Sequence, residues 1–373
     1  MVWDVAVIGA GMAGLTCAAR LQHMGYRVGI IEKSRGLGGR LATRRLPDAW
    51  ADHGVRCLED QGDYTRHLIR ELLAHQRIHS WIRPVWHWQA PQAWAPETSH
   101  ARYVSPVGLT LAAKHLGRGL EILRGQRVVE IALTPTSQGQ SRDASPPRWQ
   151  LALEPLASES ALPRQSLTAR AIVLAIPAPQ AAELLRPLAQ QGIATDIWEQ
   201  VCRVEYHPCM TAIATYAEEF SLQAAQLPWG GLQFPAGHAL DWISLEQSKL
   251  EVAPPNPNEP PFTSPRKPIV VVQSQANYAQ QHLETSNLQA IGTDLLERAG
   301  AAIAPWLARP QLLQVHRWRY AFVARPLSER YLLSLQPQPL ICCGDWCGGD
   351  RIEQALQSGE AAAGALATHV APS

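Results

Sequence analysis

Short apolar, β-branched runs alternate along this chain with stretches of helical spacing, and turn residues separate them. Val5 to Ile8 is the first run, and the chain turns through Gly9-Ala10-Gly11-Met12-Ala13-Gly14 into Leu15, Ala18, Ala19 and Leu21, the spacing of one helix face. Val28 to Ile31 predicts a second buried strand, ended by Glu32. Leu120 to Leu123 and Arg127 to Leu133, either side of Gly125, predict two strands of a sheet flanking that core. Ala171 to Ile176, closed by Pro177, reads as a buried strand leaving the first domain. Pro339 to Cys343 is the last apolar strand and precedes a helix over Arg351 to Ala367. Strand-like runs at Met210 to Tyr216, Leu240 to Leu245 and Ile269 to Ser274 mix with helical ones at Ala178 to Leu188 and Asn287 to Ile303. Pro84 to Trp94 is hairpin-like, with Val85-Trp86-His87-Trp88 alternating. Thr134 to Arg148, Glu154 to Arg170, Glu183 to Thr195 and the Pro-rich Val252 to Pro268 read as surface loops. No internal repeat is visible.

These elements predict an α/β chain of two domains. A Rossmann-like, dinucleotide-binding domain would take residues 1–80, 100–178 and 322–373, and a mixed-sheet α+β substrate domain residues 81–99 and 179–321. Strand, glycine turn, helix and a second strand ending in an acid make a dinucleotide fingerprint. Gly9 permits the tight turn, Gly11 lets backbone N–H groups of Ala10, Met12 and Ala13 approach a diphosphate, and Gly14 lets helix pack on strand. Glu32 lies about 20 residues beyond the turn, where a carboxylate accepts from a ribose. The next residues, Lys33-Ser34-Arg35-Gly36-Leu37-Gly38-Gly39-Arg40, form a second glycine loop with extra cations, which can lie along the same diphosphate and reach a ribityl chain. That loop favours FAD over NAD.

Composition narrows the partners. Lys plus Arg total 33 against 32 for Asp plus Glu, a formal net charge of +1, so no long-range field draws nucleic acid. Met1-Val2-Trp3-Asp4 carries an acid where a signal peptide needs positive charge, and no apolar run reaches the roughly 20 residues that span a bilayer. A soluble, cytoplasmic protein is the expectation. The seven cysteines have no regular spacing, which speaks against a disulfide framework. Adjacent Cys342 and Cys343 point to opposite strand faces, and Cys347 alone completes no metal set, so buried thiols are expected and no metal. No second G-x-G-x-x-G follows a strand, so a separate nicotinamide domain is not expected. Of the 13 tryptophans most should pack the core, with Trp242, Trp318, Tyr320 and Trp346 as pocket candidates on which a flat ligand could stack.

The run Glu32 to Arg45 with Ala51-Asp52-His53-Gly54, then His316-Arg317-Trp318-Arg319-Tyr320-Ala321 and Gly344 to Ala355, resembles the renalase family and its bacterial relatives, within the monoamine oxidase-like group. The resemblance is strong at both ends of the chain and weaker in the middle, at Leu240 to Ser244 and Gln273 to Leu283. It implies a p-hydroxybenzoate hydroxylase-like topology and a noncovalent FAD, since the cysteine motif of covalent attachment is missing. It places His53, Gly54 and Val55 beside the flavin, though for His53 a capped turn accounts for it equally well. Val128 would offer its backbone to adenine, though a plain core strand accounts for it equally well. Asp345, following Gly344 at a strand end, would hold a ribityl hydroxyl. In that fold the helix headed by Arg351 and Ile352 points at flavin N1 and the C2 carbonyl, where charge accumulates on reduction.

The activity implied is oxidation of 2- and 6-dihydro isomers of NAD(P)H to NAD(P)+, with oxygen reduced to hydrogen peroxide. Hydride transfer to flavin N5 needs orientation more than acid-base chemistry, so no catalytic residue is assigned. Arg317, Arg319 and Arg325 are cationic candidates for the substrate diphosphate, or else solvated surface residues. An amine or conjugated-ring oxidase of the same fold, and a non-catalytic FAD-binding module, are the competing readings. Arg56-Cys57-Leu58 departs from the family's polar and aromatic run, so pocket contacts should differ; oligomeric state is left open.

Overall fold

A strand that is apolar on both faces needs cover on both, and the first two strands here are of that kind. In the computed structural model, which describes residues 2–47, 49–91, 93–97, 101–134, 148–156, 165–251 and 267–373, Val28–Glu32 is buried at every position. It pairs in parallel with Val2–Ile8, and the helix Met12–His23 connects them. The chain divides into two compact units.

The first unit holds residues 1–39, 112–205 and 323–373. Among the described residues its sheet is eight-stranded, with Glu121–Arg124, Val28–Glu32, Val2–Ile8, Gln165–Leu174, Trp149–Pro155 and Gln126–Leu133 in spatial order and Leu340–Cys342 and Leu332–Ser334 branching from Gln165–Leu174. The ten-residue strand Gln165–Leu174 forks. Its first half pairs antiparallel with Trp149–Pro155, and its second half pairs in parallel with Leu340–Cys342. Glu121–Arg124 pairs in parallel with Val28–Glu32, so this segment is an edge strand of the nucleotide-binding sheet itself and not part of a separate flanking sheet. The C-terminal helix Ile352–Ala367 lies so close to the first helix that a Cβ on Gly359 would collide with the Ala13 carbonyl.

Two of the four expected loops differ. Glu183 to Thr195 is mostly helix: Ala178–Gln190 buries Ala181, Ala182, Leu185 and Leu188 on one face, and Pro187 sits in its last turn. Burial of that stripe outweighs one lost backbone hydrogen bond near the helix end. A short helix, Thr195–Val201, follows. Glu154 and Pro155 end one strand, and Gln165 to Arg170 begin the next. The rest of that loop (157–164), and residues 135–147 and 252–266 of the other two, lie outside the described residues.

The second unit holds residues 40–111 and 206–322. Residues 40–80 and 100–111, expected with the nucleotide-binding domain, group here by contact, whereas 179–205 group with the first unit. Its seven-stranded sheet runs Leu312–Arg325, Glu205–Thr215, Ile269–Ser274, Leu240–Leu245, Gly231–Gln233, Val85–Ala90, Ala93–Pro96. Gly231–Gln233 pairs in parallel with Val85–Ala90 and antiparallel with Leu240–Leu245, so the sheet is mixed. The helix Leu288–Ala302 covers it, burying Leu295, Leu296 and Ala299 against Val270, Val272 and Ile243. A two-stranded hairpin, Thr43–Leu46 with Ala49–Asp52, delivers the chain to His53. Among the described residues no helix is long and apolar enough to cross a membrane.

Candidate functional site

The glycine turn of the first unit is crowded on every side but one. Gly9 has φ +105° and its Cβ would strike the Ala175 carbonyl, while a Cβ on Gly14 would strike the Gly9 carbonyl. At Gly11 a Cβ would meet nothing within 4 Å. Gly11 is also the N-cap of the helix and lends it no side-chain cap, so the open side of the turn presents backbone donors to an anion. The second glycine loop lies on the first: Gly38 N donates to Ala10 O at 2.8 Å, and a bridge joins Gly11 to Gly38. Glu32 is buried and takes Ala10 N at 2.8 Å on one oxygen and Ser34 N at 2.7 Å on the other, which locks both loops to its carboxylate. Lys33 is exposed and reaches Gln180 at 3.3 Å.

Gly344 N donates to Ser358 Oγ at 3.0 Å, fixing the turn that carries the buried Asp345. Arg351 is the N-cap of the C-terminal helix, exposed beside Asp350, and Ile352 begins its first turn half-buried. Val128 stands opposite Leu153 at an irregularity in its ladder. Trp346 does not line an open pocket: it is 1% exposed, and its indole donates to Ile176 O at 3.1 Å.

In the second unit the two distant sequence motifs meet. His316, Trp318 and Tyr320 are alternate residues of Leu312–Arg325 and share one face of it. Trp318 stacks on His53, with centroids 5.5 Å apart, and its Nε1 donates to His53 O at 3.0 Å. His316 meets Trp318 edge-on at 4.2 Å and His53 at 5.2 Å. Tyr320 lies edge-on to Tyr206, over which the Arg40 guanidinium also sits. Gly54 is required at its place, because a Cβ would strike the Arg40 carbonyl, which accepts from Val55 N at 3.0 Å. Burial, His316 and the Arg44 charge together push the His53 imidazole down to about 3. Burial and Arg44 push His316 to about 4. Both rings are neutral at physiological pH.

The same alternation removes the three arginines proposed for a substrate diphosphate. Arg317 and Arg319 point away from the rings. Arg317 donates to the carbonyls of Leu283 and Thr285 at 2.7 and 2.9 Å, and Arg319 is paired with both oxygens of Glu284. Arg325 is paired with Glu205. Trp242 is 3% exposed, packed with Trp81, and its face is covered by the Arg56 guanidinium at 4.6 Å, so it is not an open stacking surface either.

Two clusters escaped the sequence reading. Arg56 donates to Gln273 at 2.7 Å and Gln233 at 2.9 Å and pairs with Asp241, joining the segment after His53 to three strands of the sheet. Its only signal was the departure from the family pattern at Arg56. Lys249 is buried between Asp52 at 3.2 Å and Glu246 at 3.0 Å, and Asp52 also accepts from Thr43 Oγ1 at 2.6 Å and Leu109 N at 2.9 Å. Nothing in the spacing links Lys249 to Asp52. Cys17, Cys209, Cys342, Cys343 and Cys347 are buried, Cys57 is half-buried and Cys202 is exposed; all are free thiols. Burial raises the buried ones, Cys343 to about 12 and Cys209 to about 11.

Comparison with known proteins gives this geometry its class. Residues 7–73 match an NAD(P)-binding Rossmann-like domain, and residues 106–367, most of the chain, match the flavin containing amine oxidoreductase model. The chain belongs to the flavin containing amine oxidoreductase family and its cofactor is FAD. A cradle whose neighbours are packed to contact, yet which is open above Gly11, fits the diphosphate of that cofactor. Curated relatives match only in a short stretch. L-amino acid oxidase Cdc18 of Crotalus durissus cumanensis is 39% identical over 67 residues, 18% of this chain and 14% of that protein. A 4,4'-diapophytoene desaturase of Staphylococcus aureus (strain MRSA252) is 35% identical over 74 residues, 16% of this chain and 15% of that protein. Solved structures match throughout. A triple mutant of putrescine oxidase, from a redesign of cofactor binding, has TM-score 0.65 at 11% identity over 98% of this chain and 99% of its own. Cyclohexylamine oxidase from Brevibacterium oxydans IH-35A has TM-score 0.63 at 13% identity over 98% and 99%. At such identities the likeness is one of fold.

Proposed function

We propose that this flavoenzyme is an oxidase of isomeric dihydronicotinamide dinucleotides, passing a hydride from the 2- or 6-dihydro ring to noncovalently held FAD and from there to oxygen, with NAD(P)+ and hydrogen peroxide as products. The observation that carries this reading is the patch of uncharged rings, His53, His316 and Trp318, standing under the field of Arg44. A neutral dihydropyridine can lie against such rings. A protonated amine would meet the same burial, and after it the same Arg44 charge, that keep both imidazoles neutral. In this reading Gly9, Ala10, Gly11, Met12, Ala13 and Gly14 hold the diphosphate with Lys33, Ser34, Gly38, Gly39 and Arg40. Glu32 serves the ribose and Val128 the adenine; His53, Gly54 and Val55 serve the flavin ring, and Asp345, Arg351 and Ile352 the ribityl and pyrimidine end. Trp318 and Tyr320 belong to the substrate pocket.

The test is anaerobic bleaching of the bound flavin by each dihydronicotinamide isomer and by a panel of primary and secondary amines. Bleaching by a 2- or 6-dihydro isomer within seconds is the expected result. Reduction by amines alone would move the enzyme to the amine oxidases, which the family's name also covers. An intact flavin that neither class reduces would point to a binding module.

A further inference from the structure

We propose that Arg44 and His53 form a two-point site for a primary carboxamide carried on a flat ring, the group that sets a nicotinamide apart from a simple amine; this rests on the substrate reading above. The second unit is otherwise careful with its enclosed cations. Arg56, Arg83, Arg102 and Lys249 each meet carboxylate or amide oxygens, and Arg317 meets two carbonyls. Arg44 is the exception. It is half-buried on the hairpin opposite Ala51, and its Nε is sealed from solvent with no acceptor among the described residues. An enclosed guanidinium donor without a partner costs free energy that a ligand oxygen would recover.

His53 presents the complementary defect. Its ring faces the backbone of Ala42 and Ala51. Nδ1 is buried and has no partner among the described residues, so we assign the ring proton to Nε2, and Nδ1 offers a lone pair that no donor among those residues meets. One orphan is a donor and the other an acceptor, and the Arg44 charge acts on both His53 and His316. A carboxylate would satisfy Arg44 but repel the lone pair of His53. An ammonium would do the reverse. A carboxamide satisfies both, its oxygen accepting from Arg44 and its N–H donating to His53, while Trp318 and His316 supply the wall for the ring that carries it.

The experiment is calorimetric titration of the oxidised, FAD-loaded enzyme with NAD+, benzamide and benzoate, in the wild type and in Arg44→Gln, Arg44→Lys and the exposed neighbour Arg45→Gln. A lost charge-assisted hydrogen bond predicts that Arg44→Gln weakens NAD+ and benzamide roughly ten-fold or more. Arg44→Lys should recover part of this, and Arg45→Gln should change nothing. The wild type should prefer benzamide to benzoate. FAD affinity and the flavin midpoint potential should stay as they were. Unchanged carboxamide binding in a folded Arg44→Gln, or in Arg44→Lys if Gln prevents folding, overturns the proposal. So does no wild-type binding of NAD+ or benzamide. A weakened FAD affinity or shifted potential with carboxamide binding intact would make the flavin's own edge the occupant and equally overturn it. If no dihydronicotinamide isomer bleaches the flavin while benzamide still binds through Arg44, the substrate reading falls and the carboxamide site stands.

Discussion

His53 and His316 titrate far below a free imidazole, at about 3 and about 4, because both are enclosed and both feel Arg44. The unfolded chain regains ordinary histidines, which take up protons near pH 6.5. Between that pH and the folded values the unfolded state binds more protons, so the stability these rings contribute is whole above about pH 6.5 and drains away as pH falls toward 4. The slope is at most about 1.4 kcal/mol per pH unit for each ring. Urea midpoints measured from pH 7.5 to 4.5 should therefore decline, and His316→Asn should flatten the decline; an equal slope in the variant would refute this account. The residues of the cradle were legible because each glycine answers to a steric demand that spacing reveals. Arg44 was not, since what marks it is a missing partner, and only coordinates show a partner to be missing.

Elements were legible wherever one period dominated. Leu240–Leu245 and Ile269–Ser274 have the bounds that their apolar runs predicted. The helix Ala178–Gln190 was legible as the helical run Ala178 to Leu188, but Pro187 and the glutamines near its end also made Glu183 to Thr195 look like loop. Alternation along Leu312–Arg325 sorted rings to one face and arginines to the other, and a run of four such residues does not announce which face is occupied. The hairpin that delivers His53 is anchored by Lys249 between Asp52 and Glu246, all three buried. Lys249→Met should leave two enclosed carboxylates uncompensated and cost about 3 to 5 kcal/mol, read as a lowered urea midpoint. Adding Glu246→Gln should recover part of that loss. A single variant as stable as the parent would mean that the hairpin is held by its packing instead.

At the scale of the molecule, a ligand that binds only the folded chain stabilises it by mass action, by about 2.7 kcal/mol at a hundred-fold excess over its dissociation constant. FAD is such a ligand when it is not covalently attached. Added FAD should raise the thermal midpoint of cofactor-depleted protein, and acid should precipitate a colourless pellet under a yellow supernatant; a yellow pellet would mean a covalent bond. The division into two units followed from the alternation of parallel-strand and mixed-strand segments. Residues 40–80 continue directly from the glycine loop in sequence, while Leu46, Ala49 and Ala51 among them pack with Ile213 and Val271 of the second sheet.

Of the seven thiols only Cys202 is exposed. Native protein should accordingly consume about one equivalent of a water-soluble maleimide at once, with the half-buried Cys57, whose thiol burial pushes up to about 12, following slowly and the five buried sulfurs reacting only as their surroundings open. The order in which further adducts accumulate under mild denaturant then serves as a clock: mass spectrometry of partly labelled chains would show whether the strand bearing Cys342 or the strand bearing Cys209 lets go first.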